Sequence, residues 1–198
     1  KVPDMETLLA KKEHIKNLIK SAKIYKISKP SIKSDILKLL KKNLYKKRYN
    51  HLLRVALNKN TLSISLRKRV KPSLNFNLIL VNLKRQKPEF KNLKYKKILK
   101  HLSKLDNSKS DIALCSDKKI FETGTSNILF VKYGKVFSPV KKLYKGVTYR
   151  FFKSKIDKII QKNIPINSLN EFDEIILIGS GKGVVSVKTI NQIKWKRK

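Results

Sequence analysis

Glu122 stands in KIFETGTSNILFVKYGKVFSP, residues 119–139, where an apolar strand pattern runs into a Gly/Thr/Ser/Asn turn and out into a second apolar strand. In a chain with 49 Lys+Arg against 13 Asp+Glu, such a carboxylate is either incidental to a strand end or a group with a charged partner. Three further stretches carry residue types that chemistry uses. GSGKG, Gly179–Gly183, is a glycine turn between apolar runs; it reads as a plain tight turn or as backbone N–H groups gathered round an anion. It lacks the spacing of a Walker A loop. KGVTYR, Lys145–Arg150, leads into a helix pattern and reads as a Thr-capped start or as an anion site on unpaired N–H groups and the helix dipole. Lys91, in PEFKNLKY with Phe90 beside it and Tyr95 four residues on, is a solvated linker lysine unless partly desolvated. In that state its amine could attack a carbonyl.

The elements that must position these groups follow from periodicity. METLLA suits a short strand. KKEHIKNLIKSAKIY places Ile15, Leu18, Ile19 and Ala22 on one helical face, and a second helix follows Ser31 with Ile32, Ile36, Leu39 and Leu40 inward. A hairpin turns at Asn58-Lys59-Asn60, and LNFNLILVNL continues as a strand. Beyond the polar, Pro88-broken KRQKPEFKNLKYKK, a helix begins near Lys94, and strands follow at DIALCS, KIFET, NILFVKYG and KVFSPV. TYRFFKSKIDKIIQKN reads as one helix carrying Phe152, Ile156, Ile159 and Ile160, and DEIILIGSGKGVVSVKTI as strand, glycine loop, strand. The expectation is an α+β chain of two lobes: residues 1–85, a linker at 86–92, and residues 93–198.

Bulk properties narrow the classes. The chain has 198 residues, 40% hydrophobic and 8% aromatic, which suits a folded protein. No apolar run reaches the length of a bilayer span, and the N-terminal stretch lacks a signal-peptide core, so the cytoplasm is the expected compartment. The single cysteine, Cys115, excludes an internal disulfide and a cysteine-rich metal site, and no metal is expected. The formal charge of +36 would attract any polyanion. Its lysines are spread through every segment, however, and arginine occurs only at 48, 54, 67, 69, 85, 150 and 197. That reads as solvated lysine faces in an AT-rich composition, with nucleic-acid binding at most non-specific.

Order and spacing join the separate signals. From METLL to VVSVKTI the chain resembles the class IV, fold-type IV pyridoxal-phosphate enzymes, which include branched-chain and D-amino-acid aminotransferases and 4-amino-4-deoxychorismate lyase. ETGTSNILFVKYGKVFSP looks like the family's most diagnostic segment, KNLKY like its Schiff-base lysine stretch, YKGVTYR like its phosphate turn and GSGKGVVSV like its second phosphate loop. The resemblance implies a two-lobed homodimer holding pyridoxal 5'-phosphate. Lys91 would carry the cofactor and move the substrate Cα proton, and Glu122 would face the protonated pyridine nitrogen. It also implies Tyr95 at the phenolic oxygen, Tyr144 packed on the ring, and Val147, Thr148, Ser180 and Gly181 round the phosphate. The chain departs from the pattern at Asn17, where the family carries a phosphate-gripping arginine, and at Lys94, where it usually carries asparagine. Within the family the ending EIILIGSGKGVVSVKTI most resembles 4-amino-4-deoxychorismate lyase, which releases 4-aminobenzoate and pyruvate for folate synthesis from an anionic substrate. Two other readings stand beside it: an amino-acid aminotransferase, and a non-catalytic homologue that binds RNA or another polyanion.

Overall fold

The computed structural model describes residues 5–44, 51–141 and 143–198. Contacts divide the chain into two compact α+β units, Lys1–Arg69 and Val70–Lys198. Among the described residues no helix is long and apolar enough to cross a membrane.

In the first unit α1 (Met5–Ile24) and α2 (Ile32–Asn43) precede a hairpin of β1 (His51–Leu57) and β2 (Leu62–Lys68). Ile15, Leu18, Ile19 and Ala22 pack with Ile32, Ile36 and Leu40 and with Val55, Leu57 and Ile64 of the hairpin. The helical spacing of the sequence therefore describes a real face. The hairpin turn is an Asx turn, in which Asn58 Oδ1 accepts from the N–H groups of Asn60 and Thr61. METLLA, expected as a strand, opens α1 instead. Its Met, Glu, Leu and Ala are strong helix formers that extend the run beginning at Lys11. Ser31 occupies the N-cap position, but its hydroxyl donates to Asp35 Oδ2 at 2.7 Å and caps no N–H.

In the second unit the elements run β3 (Phe76–Asn82), α3 (Lys96–Leu102), β4 (Ser110–Ser116), β5 (Lys119–Thr123), β6 (Asn127–Lys132), β7 (Lys135–Pro139), α4 (Val147–Lys155), β8 (Ile159–Lys162), β9 (Ile164–Pro165), β10 (Glu174–Gly179), β11 (Gly183–Ile190) and β12 (Trp195–Lys196). They form one mixed sheet in the order β8-β7-β6-β10-β11-β3-β4-β5-β9, with β12 paired to β11. Its parallel pairs are β3 with β4, β3 with β11 and β7 with β8. Alternation splits each central strand between two faces. Ala113, Cys115, Ile128, Phe130, Ile175, Leu177, Val185 and Val187 enclose one core with Phe172 and Trp195. The opposite face carries α3 over Ile112 and Leu114 and α4 over Leu129 and Ile178.

Two further expectations change. The lobe boundary was expected after residue 85, but β3 pairs with β4 and β11, so the chain divides at Arg69/Val70. The long helix expected from Thr148 ends at Lys155, and Ile159–Lys162 is strand β8. Ile156 leaves helical geometry at φ −115, ψ 131. The open edge of β7 then takes up Ile159 and Ile160 in parallel pairing, and edge pairing overrides the helical period.

Residues 83–95, between β3 and α3, form neither helix nor strand. Lys91 lies in this connection.

Candidate functional site

Glu122 owes its orientation to a register shift. β5 runs antiparallel to β4 with Ile120 opposite Cys115, and then Glu122, not Phe121, opposite Leu114. Residues directly opposite share a face, so the extra residue moves Glu122 off the Ile120 core face and onto the face that α3 covers. Thr123, opposite Ala113, returns to the inner face.

Turned in this way, Glu122 is 4% exposed and meets Arg85, itself 8% exposed. Arg85 Nη2 donates to Glu122 Oε2 at 2.9 Å and to the carbonyl of Pro88, while Nη1 donates to the Tyr95 hydroxyl at 2.9 Å. Because the Tyr95 oxygen accepts from a guanidinium, its own O–H is left to donate elsewhere. Arg85 Nε is buried without a hydrogen-bond partner. Burial pushes the Glu122 carboxyl up to about 7, against the pull of the Arg85 charge and of the Tyr144 N–H, with a smaller upward push from Glu89.

Tyr144 connects the acid to the lysine. Its N–H donates to Glu122 Oε2 at 3.2 Å, and its ring centroid lies 5.3 Å from Lys91 Nζ. Lys91 is exposed in this chain, with its ammonium resting on an aromatic face. Asn127 fixes the segment that carries Tyr144: its Nδ2 donates to the Tyr144 carbonyl at 2.6 Å, and its Oδ1 accepts from Gly146 N–H at 3.1 Å. Gly146 is the extended N-cap of α4, so the first N–H groups of the helix, at Val147 and Thr148, have no intrahelical carbonyl. Thr148 Oγ1 lies 3.0 Å from Ser180 Oγ. Ser180 and Gly181 belong to the turn closed by the Gly179–Gly183 pair of β10 and β11.

The structure thus brings Lys91, Tyr95, Glu122 and Tyr144 into one contact chain through Arg85, and sets Val147, Thr148, Ser180 and Gly181 at a joint of helix N-terminus and glycine turn. The first group offers an amine, a buried carboxylate and a phenol; the second offers hydroxyl and N–H donors suited to a phosphate. Asn17 stands on α1 with its Nδ2 buried and without a hydrogen-bond partner.

Sequence reasoning missed Arg85, Asn127 and Asp111. Arg85 carries a signal, as the one arginine between residues 69 and 150 of a lysine-rich chain. Asp111 carries another, an acid opening the apolar run DIALCS; it is fully buried. Its carboxylate accepts from Thr123 Oγ1 at 3.2 Å, Thr125 Oγ1 at 2.6 Å and Lys182 Nζ at 3.0 Å.

The comparisons with known proteins bear on this geometry. A family model described as amino-transferase class IV matches residues 4–190. A 4-amino-4-deoxychorismate lyase from Pseudomonas aeruginosa superposes with a TM-score of 0.73 at 15% identity, covering 94% of this chain and 80% of that one. A branched-chain aminotransferase from Thermoproteus uzoniensis, solved with norvaline, gives 0.73 at 16% identity over 94% and 73%. A Brucella abortus aminotransferase bound to PLP gives 0.69 at 17% identity over 92% and 75%. A search of curated proteins returned no match.

Proposed function

Because the chain belongs to the class IV aminotransferase family, whose enzymes use pyridoxal phosphate, we propose that it is a lyase converting 4-amino-4-deoxychorismate to 4-aminobenzoate and pyruvate. We place this enzyme in the cytoplasm as a homodimer. The observation that carries the site assignment is Tyr144, which touches Glu122 through its N–H and Lys91 through its ring.

The residues fit the cofactor. Burial raises the Glu122 carboxyl even with Arg85 against it, so the site favours a further cation or a shared proton at that carboxylate, as a ring nitrogen provides. Glu122 would face that nitrogen and Tyr95 the phenolic oxygen. Tyr144 would pack on the ring, and Val147, Thr148, Ser180 and Gly181 would hold the phosphate. When bound, the cofactor supplies an electron sink for the pair left behind at the substrate Cα.

The remaining work falls to the chain. Lys91 Nζ supplies the attaching amine and, once displaced by substrate, the base that takes the Cα proton. Arg85 holds Glu122 in place and, by donating to the Tyr95 oxygen, leaves the Tyr95 O–H as a donor. The anionic substrate is drawn by the basic field of a chain with +36 formal charge. Loss of pyruvate follows because the ring left behind becomes aromatic.

The purified protein should be yellow, or become so with added pyridoxal phosphate, and Lys91→Ala should abolish the visible band. A colourless protein that takes up none sinks the site assignment. With aminodeoxychorismate it should form 4-aminobenzoate and pyruvate in equal amounts. No 4-aminobenzoate, together with amino transfer from a branched-chain or D-amino acid, would assign it to transamination instead.

A further inference from the structure

We propose that Lys182 and Asp111 are positioning residues that hold the β10–β11 turn in shape for a phosphate, although neither is part of the Thr148–Ser180 pair. This inference rests on the cofactor reading above.

Lys182 is the third residue of a turn whose first is Ser180. Its side chain does not run into solvent like those of most lysines here. It folds inward, 11% exposed, lies 4.5 Å over the Phe76 ring and ends 3.0 Å from Asp111 Oδ2. Asp111 sits at the start of β4 on the inner face, and its Oδ1 accepts from the Ile112 N–H. The same Oδ2 takes Thr125 Oγ1, and Thr123 Oγ1 also reaches it. Thr123 in turn bonds Ser126 at both N–H and carbonyl. One buried carboxylate therefore ties the turn beside Glu122 to the turn that carries Ser180. The second turn is held on its other flank as well, since a Cβ at Gly179 would come 3.1 Å from Ser126 Oγ.

A buried ion pair of this kind is often no more stabilising than an apolar pair of equal volume. Fold stability alone does not call for it. What it adds is direction, because a carboxylate that accepts from four donors fixes where each donor's backbone goes. It also adds charge balance: the Lys182 ammonium neutralises the one buried acid tied to this turn, which would otherwise repel a phosphate dianion.

The test compares two probes, pyridoxal phosphate and its phosphate-free analogue pyridoxal, by dissociation constants from the visible band. The wild-type protein should prefer the phosphorylated probe strongly. Lys182→Gln should cut that preference about tenfold, the scale of one charge-assisted contact, while pyridoxal binding holds. Lys182→Arg, which keeps the pair, should keep the preference. Should Lys182→Gln fail to fold, Asp111→Asn/Lys182→Gln removes both charges without leaving one buried alone, and the same loss of preference is expected. A variant that weakens both probes equally, or neither, overturns the positioning role and leaves the cofactor reading intact. A wild-type protein that binds the two probes equally overturns both.

Discussion

Replacing Arg85 with methionine should destabilise the second unit by an amount that depends on pH, and the dependence can be worked from Glu122. An acid whose folded pKa lies above its unfolded value binds its proton more tightly in the fold, so folding stability falls as pH rises between the two values and is flat above them. In the wild-type protein that window runs from 4.5 to about 7. Without the guanidinium the folded value climbs further, and stability keeps falling beyond pH 7 by about 1.4 kcal/mol per unit. At pH 5.5 the carboxyl is protonated in both proteins and this part of the penalty vanishes. At pH 8.5 the variant has fallen through about 1.5 units more than the wild type, or about 2 kcal/mol. To this is added a loss of about 1–3 kcal/mol for the hydrogen bonds to Tyr95 and Pro88, which does not vary with pH. Trp195, the single tryptophan, is buried in the second unit with its Nε1 bonded to the Phe172 carbonyl. Urea unfolding followed by its fluorescence therefore reports on the right unit. Arg85→Met/Glu122→Gln should recover most of the pH-dependent part. An equal penalty at pH 5.5 and 8.5, or a smaller one at 8.5, would refute the assignment of Glu122 as a buried acid whose ionised form Arg85 favours.

Glu122→Gln should keep the cofactor content of the purified protein but lower kcat severely, since the ring would still bind without its assured proton; absorbance stoichiometry and turnover measured on one sample separate the two. Asn127→Ala should free both Tyr144 and the N-cap of α4, and so weaken pyridoxal phosphate binding by about tenfold per lost contact; titration of the visible band checks it. Gly124→Ala places a methyl group 2.9 Å from Ile112 Cγ1 and 3.0 Å from Asp111 Oδ1, an overpacking expected to cost about 1–3 kcal/mol in urea unfolding.

Much of this architecture was legible because it depends on local patterns. Apolar alternation marked β3 through β7 and the pair β10–β11, and helical spacing marked the buried faces of α1 and α2. The resemblance through ETGTSN, KNLKY, KGVTYR and GSGKG pointed to segments that the fold brings together at Tyr144 and at Thr148–Ser180. What stayed hidden depends on long-range pairing. β8 is a strand only because β7 offers it an open edge, and the lobe boundary moves only because β3 finds β4 and β11. Arg85 and Asp111 were hidden for a related reason. Charged residues one expects in solvent are buried here because partners 37 and 71 positions away meet them, and no local window contains both ends.

The register shift between β4 and β5 has a consequence for how this chain tolerates insertion and deletion. A strand's two sides are assigned by odd and even counting, and here the count changes by one within a five-residue strand. Two neighbours, Glu122 and Thr123, thereby serve two separate networks. Removing Phe121 would restore plain alternation with Ile120 still opposite Cys115 and Glu122 still opposite Leu114, so the acid would keep the face on which it meets Arg85. A one-residue deletion at this point would therefore spare the register of the acid and cost the burial of the Phe121 ring, whereas a conservative replacement of Phe121 would spare both.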